Sequence, residues 1–271
     1  MIRKIAALLL SLITLISSAG HASDGDYLYM INVGKGDAII VHAADKNYLI
    51  DTGKSGAFVS VLSALNRLNI SKLDGVFLTH TDKDHSGGLK KLAKSDISVA
   101  RWFAPAYYID EEDKHPLVKA LKKTDAAIVW LKAGDSVDGL FTVIGPLTLN
   151  TLDEDDNSLV MLLDTGTHTV LLTGDMERQE EISLLDAGGF PACDVFKVPN
   201  HADNDVCMYM DLAKLNAKVA LISTDPYDKP GTPDALLLEA LDKAGMQVYC
   251  TFDSENGIMV SLSDEIEITI E

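Results

Sequence analysis

Residues 79–88 read Thr79-His80-Thr81-Asp82-Lys83-Asp84-His85-Ser86-Gly87-Gly88, which sets four potential metal ligands (His80, Asp82, Asp84, His85) within six positions. They follow directly on the apolar stretch 75–78 and precede a segment that opens a helix at Leu89. A short buried strand ending at such a turn folds the four side chains towards one point. Mixed imidazole and carboxylate donors suit Zn, Mn or Fe, whereas Mg and Ca favour oxygen alone. A solvated polar turn explains any one of these residues, but not all four beside a strand end. The chain must therefore fold so that a strand terminus carries a metal-binding loop.

The hydrophobic pattern supplies the surroundings. Strands are expected over 27–33, 38–42, 47–50, 75–78 and 99–104, then over 127–131, 140–144, 159–163, 169–172, 195–198 and 219–222. Helical spacing appears over 58–68, 89–93, 116–123, 177–186, 208–215 and 233–244. Residues 247–252 and 258–262 read as a closing hairpin. Two strand-rich halves, each with its own helices, predict a four-layer αββα sandwich of two mixed sheets rather than an alternating βαβ sheet. Gly34-Lys35-Gly36 is no dinucleotide fingerprint, because the third glycine is missing and a strand follows.

The segment 79–88 resembles the H-x-[HD]-x-D-H signature of the metallo-β-lactamase superfamily, in its variant with aspartate at the second ligand. Other motifs fall in that superfamily's order. Asp51 in Leu49-Ile50-Asp51-Thr52-Gly53 resembles the carboxylate that orients the ligand loop. Asp175 in Leu172-Thr173-Gly174-Asp175 resembles the bridge between two metals, and His201 in Lys197-Val198-Pro199-Asn200-His201 resembles the last metal-binding histidine. A closer resemblance is to the hydrolase domain of ComEC-type competence proteins and their free-standing relatives. Its carriers are Asn32-Val33-Gly34-Lys35-Gly36-Asp37-Ala38, Asn157-Ser158-Leu159-Val160 and Asp194-Val195-Phe196-Lys197-Val198-Pro199. The resemblance implies two divalent ions, Zn or Mn: His80 and Asp82 on the first, Asp84, His85 and His201 on the second, and Asp175 between them. Asp84 and Asp175 would be the catalytic carboxylates, and the metal pair would generate hydroxide near neutral pH.

The pattern also has gaps. Many superfamily members give the first metal a third histidine ahead of the Asp175 strand, and this chain has none there. His168 lies in the expected turn 165–168, too far along the strand to reach. If that hairpin centres on Gly166-Thr167, Ser158 faces Asp175 and Asn157 lies beside it, so these two residues are the best placed at the missing position. Asn200 stands where relatives carry a first histidine, and Thr232 where they often carry another, which bears on substrate binding and proton transfer. The acidic run 153–156 lacks the glycine and final glutamate of a calcium loop and reads as a solvated turn near the cleft. His115 reads as a surface residue, with a lid over the site as the alternative. Trp102 and Trp130 read as core anchors.

Arg3 and Lys4, the apolar run 5–16 and the small residues before Ser23 read as a signal peptide over 1–22, leaving one hydrolase domain over 23–271. The apolar run is too short to span a bilayer, so no stable membrane insertion is expected after cleavage, and the protein would be secreted, periplasmic or on the cell surface. Cleavage would leave 21 basic and 41 acidic residues, a net charge of −20. That charge disfavours duplex DNA. Cys193, Cys207 and Cys250 form no C-x-x-C pair; a Cys193–Cys207 disulfide and three buried thiols are both open. The expected activity is a phosphodiesterase or nuclease-like hydrolase acting on a small or single-stranded substrate. The alternatives are a lactam, lactone or other acyl hydrolase, and a catalytically silent binding protein retaining the fold.

Overall fold

The computed structural model describes residues 25–107, 114–122, 126–150 and 152–271. The expected leader, 1–22, and part of the loop 107–127 lie outside them. Among the described residues no helix is long and apolar enough to cross a membrane.

Period-two alternation sorts the first strands into two cores. Along Tyr27–Ile31 every residue is buried, yet Leu28 and Met30 point to one side and Tyr27, Tyr29 and Ile31 to the other. The first set meets Phe141, Met161, Val170 and Leu221 from a second sheet, forming the inter-sheet core. The other set meets a helix layer that includes Phe58–Arg67, whose buried residues Phe58, Val61, Ala64 and Leu65 recur at helical spacing. On the outer face of the second sheet, Leu184, Leu212, Leu215, Leu237 and Leu241 bring three further helices against Leu171, Phe196 and Ala220. Helix, sheet, sheet, helix is the four-layer sandwich.

The first sheet runs Ile268–Ile270, Gly257–Ser261, Tyr27–Ile31, Ile39–Ala43, Lys46–Ile50, Gly75–Phe77, Trp102–Pro105 and Ile128–Leu131. The second runs Gln247–Cys250, Val219–Ile222, Val195–Lys197, Thr169–Leu172, Val160–Asp164, Phe141–Gly145 and Ser136–Val137. Each is antiparallel on one side and parallel on the other. The inner parallel strands Gly75–Phe77, Val195–Lys197 and Val219–Ile222 are buried at every residue because both their faces are covered.

Three expected secondary-structure elements change. Residues 247–262 form no hairpin: Gln247–Cys250 pairs in parallel with Val219–Ile222, while Gly257–Ser261 crosses to the other sheet and pairs with Tyr27–Ile31. Of the expected helix 208–215 only Leu212–Leu215 is α-helical. The backbone N–H groups of Met208, Tyr209 and Met210 instead donate to the buried Glu181 carboxylate at 3.1, 2.8 and 2.6 Å. The expected strand 99–104 divides, with Ser98–Val99 pairing separately with Lys72–Leu73 and Trp102–Pro105 joining the main sheet. All three cysteines are free thiols, so the Cys193–Cys207 bridge is not made. His115 is buried edge-on to Trp130, not on the surface, and Trp102 is a core residue.

Candidate metal centre

The ligand residues gather at one end of both sheets. The carboxyl ends of the parallel strands Gly75–Phe77, Thr169–Leu172 and Val195–Lys197 lead into His80–His85, Asp175 and His201 respectively. The turn 34–37 closes over them from the first sheet. Gly36 has φ +140°, and a Cβ there would lie 2.5 Å from the Asp84 carbonyl oxygen. Glycine permits both the conformation and the approach.

Three imidazoles are each anchored through Nδ1 with Nε2 turned inward. Thr79 Oγ1 lies 2.6 Å from Asp51 Oδ2 and 3.1 Å from His80 Nδ1. A carboxylate only accepts, so the hydroxyl proton goes to Asp51 and the hydroxyl oxygen accepts from His80 Nδ1–H. This leaves a lone pair on His80 Nε2, which is buried and has no hydrogen-bond partner. His85 Nδ1 donates to Asp51 Oδ2 at 2.8 Å, and its Nε2 lies 3.0 Å from Asp175 Oδ2. His201 Nδ1 donates to the Ser223 carbonyl at 2.7 Å, and its Nε2 lies 2.9 Å from the same Asp175 oxygen. Holding the distal nitrogen by a carbonyl or carboxylate is how metal-binding histidines are oriented.

The last anchor rests on unusual backbone. Asn200, His201 and Ala202 have φ of 39°, 56° and 61°, three consecutive non-glycine residues in the left-handed region. Such strain persists where surrounding structure enforces it, commonly at functional sites.

The charges are shared out in detail. Lys197 is buried inside the second sheet and donates to Gly174 O at 2.7 Å, with Asp37 Oδ2 at 2.5 Å and Asp175 Oδ1 at 3.4 Å. One Asp175 oxygen therefore faces lysine while the other faces the two histidines. Burial alone would raise the Asp175 carboxyl, but His201, His85 and Lys197 hold it well below the usual range. Burial likewise opposes charge on His85, yet Asp175 and Asp51 raise it well above its ordinary value. Asp84 is held low against burial by His85, Lys35 and His201. Its Oδ2 pairs with Lys35 Nζ at 2.8 Å and lies 3.7 Å from His201 Nε2. Asp82 is exposed; partial burial of its carboxyl raises it, with Asp155 and Asp84 adding to the effect and His80 opposing it.

Ligand atoms within 4.8 Å of one another form the groups His80–His85–Asp175, Asp84–His85–His201, His80–Asp82–Asp155 and Asp37–Asp51–His85. The first three form two adjoining donor sets of mixed nitrogen and oxygen able to hold divalent metal.

The remaining expected residues divide. The ladder Met161↔Leu172 through Asp164↔Thr169 has the anticipated register, and Ser158 Oγ accepts from Asp175 N at 3.1 Å. The Asn157 amide is spent on Asn150 and Asp153. Asp155, from the run read as a solvated turn, is the residue that reaches His80, with Oδ1 3.4 Å from Nε2. Asn200 Nδ2 donates to Glu177 Oε1 at 2.5 Å and lies 3.4 Å from Asp155 Oδ2. Thr232 Oγ1 donates to the Lys229 carbonyl at 2.8 Å, so its proton is committed there. His168 sits in its turn beside Asp194, at 3.5 Å.

Sequence reasoning missed Lys197, Asp37 and Asp155. A lysine inside the apolar stretch Val195-Phe196-Lys197-Val198 was a readable signal, since an unpaired buried charge is not tolerated.

A four-layer sandwich with histidine and aspartate clusters at its strand ends defines a metal-binding α/β class of proteins. Residues 31–224 match the Metallo-beta-lactamase superfamily, and the chain belongs to it. It is 27% identical over 257 residues to ComE operon protein 3 of Bacillus subtilis (strain 168), covering 87% of this chain and 33% of that protein. It is also 27% identical over 243 residues to Recombination protein 2 of Haemophilus influenzae, covering 88% of this chain and 29% of that one. The chain thus spans about a third or less of these curated relatives. Among solved structures, the metallo-beta-lactamase fold protein YhfI from Bacillus subtilis superposes with a TM-score of 0.58 at 18% identity, covering 86% of this chain and 98% of that one. The chain is accordingly a ComEC-like member of the superfamily, with its hydrolase fold.

Proposed function

We propose that this chain is an exported, metal-dependent hydrolase that cleaves phosphodiesters of small or single-stranded substrates. The observation that carries the reading is the trio His80, His85 and His201, each tethered at Nδ1 with Nε2 facing the cluster around Asp175. His80 and Asp82 would hold one divalent ion and Asp84, His85 and His201 the other, with Asp175 shared. When bound, the ions would lower the pKa of water and polarise a phosphoryl oxygen.

The protein's own groups orient and balance. Asp51 fixes His85, Lys197 turns Asp175, and Lys35 supplies a cation beside Asp84 that suits an anionic substrate. Relatives named for competence and recombination agree with nucleic-acid phosphodiesters. The net charge, −18 for the whole sequence and −20 without residues 1–22, favours short substrates over duplex.

The test is turnover of bis(p-nitrophenyl) phosphate by the Mn- or Zn-loaded chain and its Asp175→Asn variant. Turnover that falls on the order of 100-fold or more in the folded variant is expected. Unchanged turnover removes the mechanism. Cleavage of a chromogenic β-lactam with no phosphodiesterase activity replaces it with acyl hydrolysis, and inertness towards both with metal bound makes the chain a binding protein.

A further inference from the structure

We infer that Asp155 completes the first metal site in place of the missing histidine, and that Asn200 is the positioning residue that orients it. The inference rests on the metal-dependent reading above and specifies how the incomplete site is filled.

Two independent observations meet at Asp155. The first is the buried, unpartnered His80 Nε2, whose tautomer leaves a lone pair facing inward, with Asp155 Oδ1 3.4 Å away. The Asp82 carboxylate falls in the same group, with all three ligand atoms within 4.8 Å of one another. His80, Asp82 and the shared Asp175 give the first ion three donors, one fewer than where the additional histidine is present. Asp155 supplies the fourth, where that histidine would stand.

The second observation is how the turn is held. Glu154 Oε1 accepts from Thr81 N at 3.1 Å and from Thr81 Oγ1 at 2.5 Å, tying the turn to the ligand loop. The Asp156 carboxylate accepts from Glu177 N, Gln179 N and Glu180 N, at 3.1, 3.2 and 3.0 Å, capping the helix Arg178–Asp186. Asn157 locks onto Asn150 and Asp153. With its neighbours committed elsewhere, Asp155 is left between the loop and the cluster. Asn200 Nδ2 approaches its Oδ2 at 3.4 Å, so Oδ1 is the oxygen presented to His80. The absent histidine and the asparagine at position 200 thereby become one linked change: an aspartate replaces the ligand, and an amide donor orients it.

This donor set, one nitrogen and three carboxylates with the shared Asp175 counted, is richer in oxygen than a histidine-completed site. It tilts the first site from Zn towards Mn.

The experiment loads the full purified chain with Mn2+ or Zn2+ and counts bound metal by plasma mass spectrometry, with affinities from chelator competition. The variants are Asp155→Asn, Asp155→His, Asn200→Ala and, as a control on the same turn, Asp153→Asn. Two ions are expected in the native chain and in Asp153→Asn. Asp155→Asn should retain one, with the other weakened about 100-fold or more, and Asn200→Ala should weaken that same ion about tenfold. Asp155→His should restore two ions and shift preference towards Zn. Two ions held by Asp155→Asn at native affinity would overturn the assignment while leaving the hydrolase reading intact. No metal on the native chain would overturn both. Should Asp155→Asn not fold, Asp155→His decides: an unshifted metal preference counts against the assignment.

Discussion

Asp51 and His85 meet at 2.8 Å, carboxylate oxygen to Nδ1, and this contact decides which nitrogen of His85 faces Asp175. The same carboxylate holds Thr79 through both its N–H and its hydroxyl, so it sets His80 as well, one residue further on. Two of the three inward-facing imidazoles thus depend on one buried aspartate that lies behind them. Asp51→Ala should lower Zn2+ affinity about 10–100-fold in chelator competition. Asp51→Asn keeps an acceptor for His85 and should lose less. Equal affinity in native protein and Asp51→Ala would mean the loop is preorganised by other contacts.

Lys197 is flanked by two buried carboxylates, Asp37 and Asp175. Burial opposes its charge, but Asp37 and Asp175 raise it above its ordinary value. Replacing it with methionine preserves shape and strands both acids. In the metal-free chain, Lys197→Met should cost roughly 3–5 kcal/mol in urea unfolding. The double variant Lys197→Met/Asp37→Asn should recover part of the loss. A single variant as stable as the native chain would show that the carboxylates are relieved in another way.

The fold and much of the site were legible because their signals are local. The ligand cluster 80–85, the motif order and the turn at 165–168 specify themselves, and the register placing Ser158 opposite Asp175 follows from turn geometry alone. Strand partnership near the chain end was not legible. Gln247–Cys250 and Gly257–Ser261 are close in sequence but are claimed by different sheets, a choice made by the two cores. Asp155 stayed hidden because four consecutive acids look the same as a solvated turn. Only the hydrogen bonds of Glu154, Asp156 and Asn157 distinguish them. The interruption of helix 208–215 was hidden for a like reason, since its cause is Glu181 on another helix.

His115 gives the chain an acid-sensitive element away from the metal ligands. Burial beside Trp130 pushes its imidazole down to about 4, with Glu154 opposing and Lys119 adding to the lowering. An unfolded histidine titrates near ~6.5. As pH falls from there towards about 4, the unfolded chain takes a proton that the folded chain refuses, so stability declines; above that window the residue contributes nothing. The loss should reach at most about 3 kcal/mol by the bottom of the window. Urea unfolding at about pH 7 and about pH 4.5 should show a shallower decline for His115→Phe than for the native chain. Parallel declines would place the acid sensitivity elsewhere.

Lys35 stands at the mouth of the centre, partly exposed, with its ammonium 2.8 Å from Asp84 Oδ2. Were Asp84 to hold a divalent ion, its grip on that ammonium would weaken, and Lys35 would be available to an anionic substrate. Burial lowers its pKa, but Asp84 and the more distant Asp175 and Asp155 outweigh that, so the group stays charged through neutral pH. Lys35→Gln keeps the length and most of the packing while removing the charge. In a phosphodiester assay, KM should rise about tenfold with a smaller change in kcat. The salt dependence of kcat/KM should also flatten, because a charged contact is lost at a solvent-accessible rim. A fall in kcat alone, with KM and salt dependence unchanged, would instead place Lys35 behind Asp84, as a group that tunes the metal ligand and does not meet the substrate.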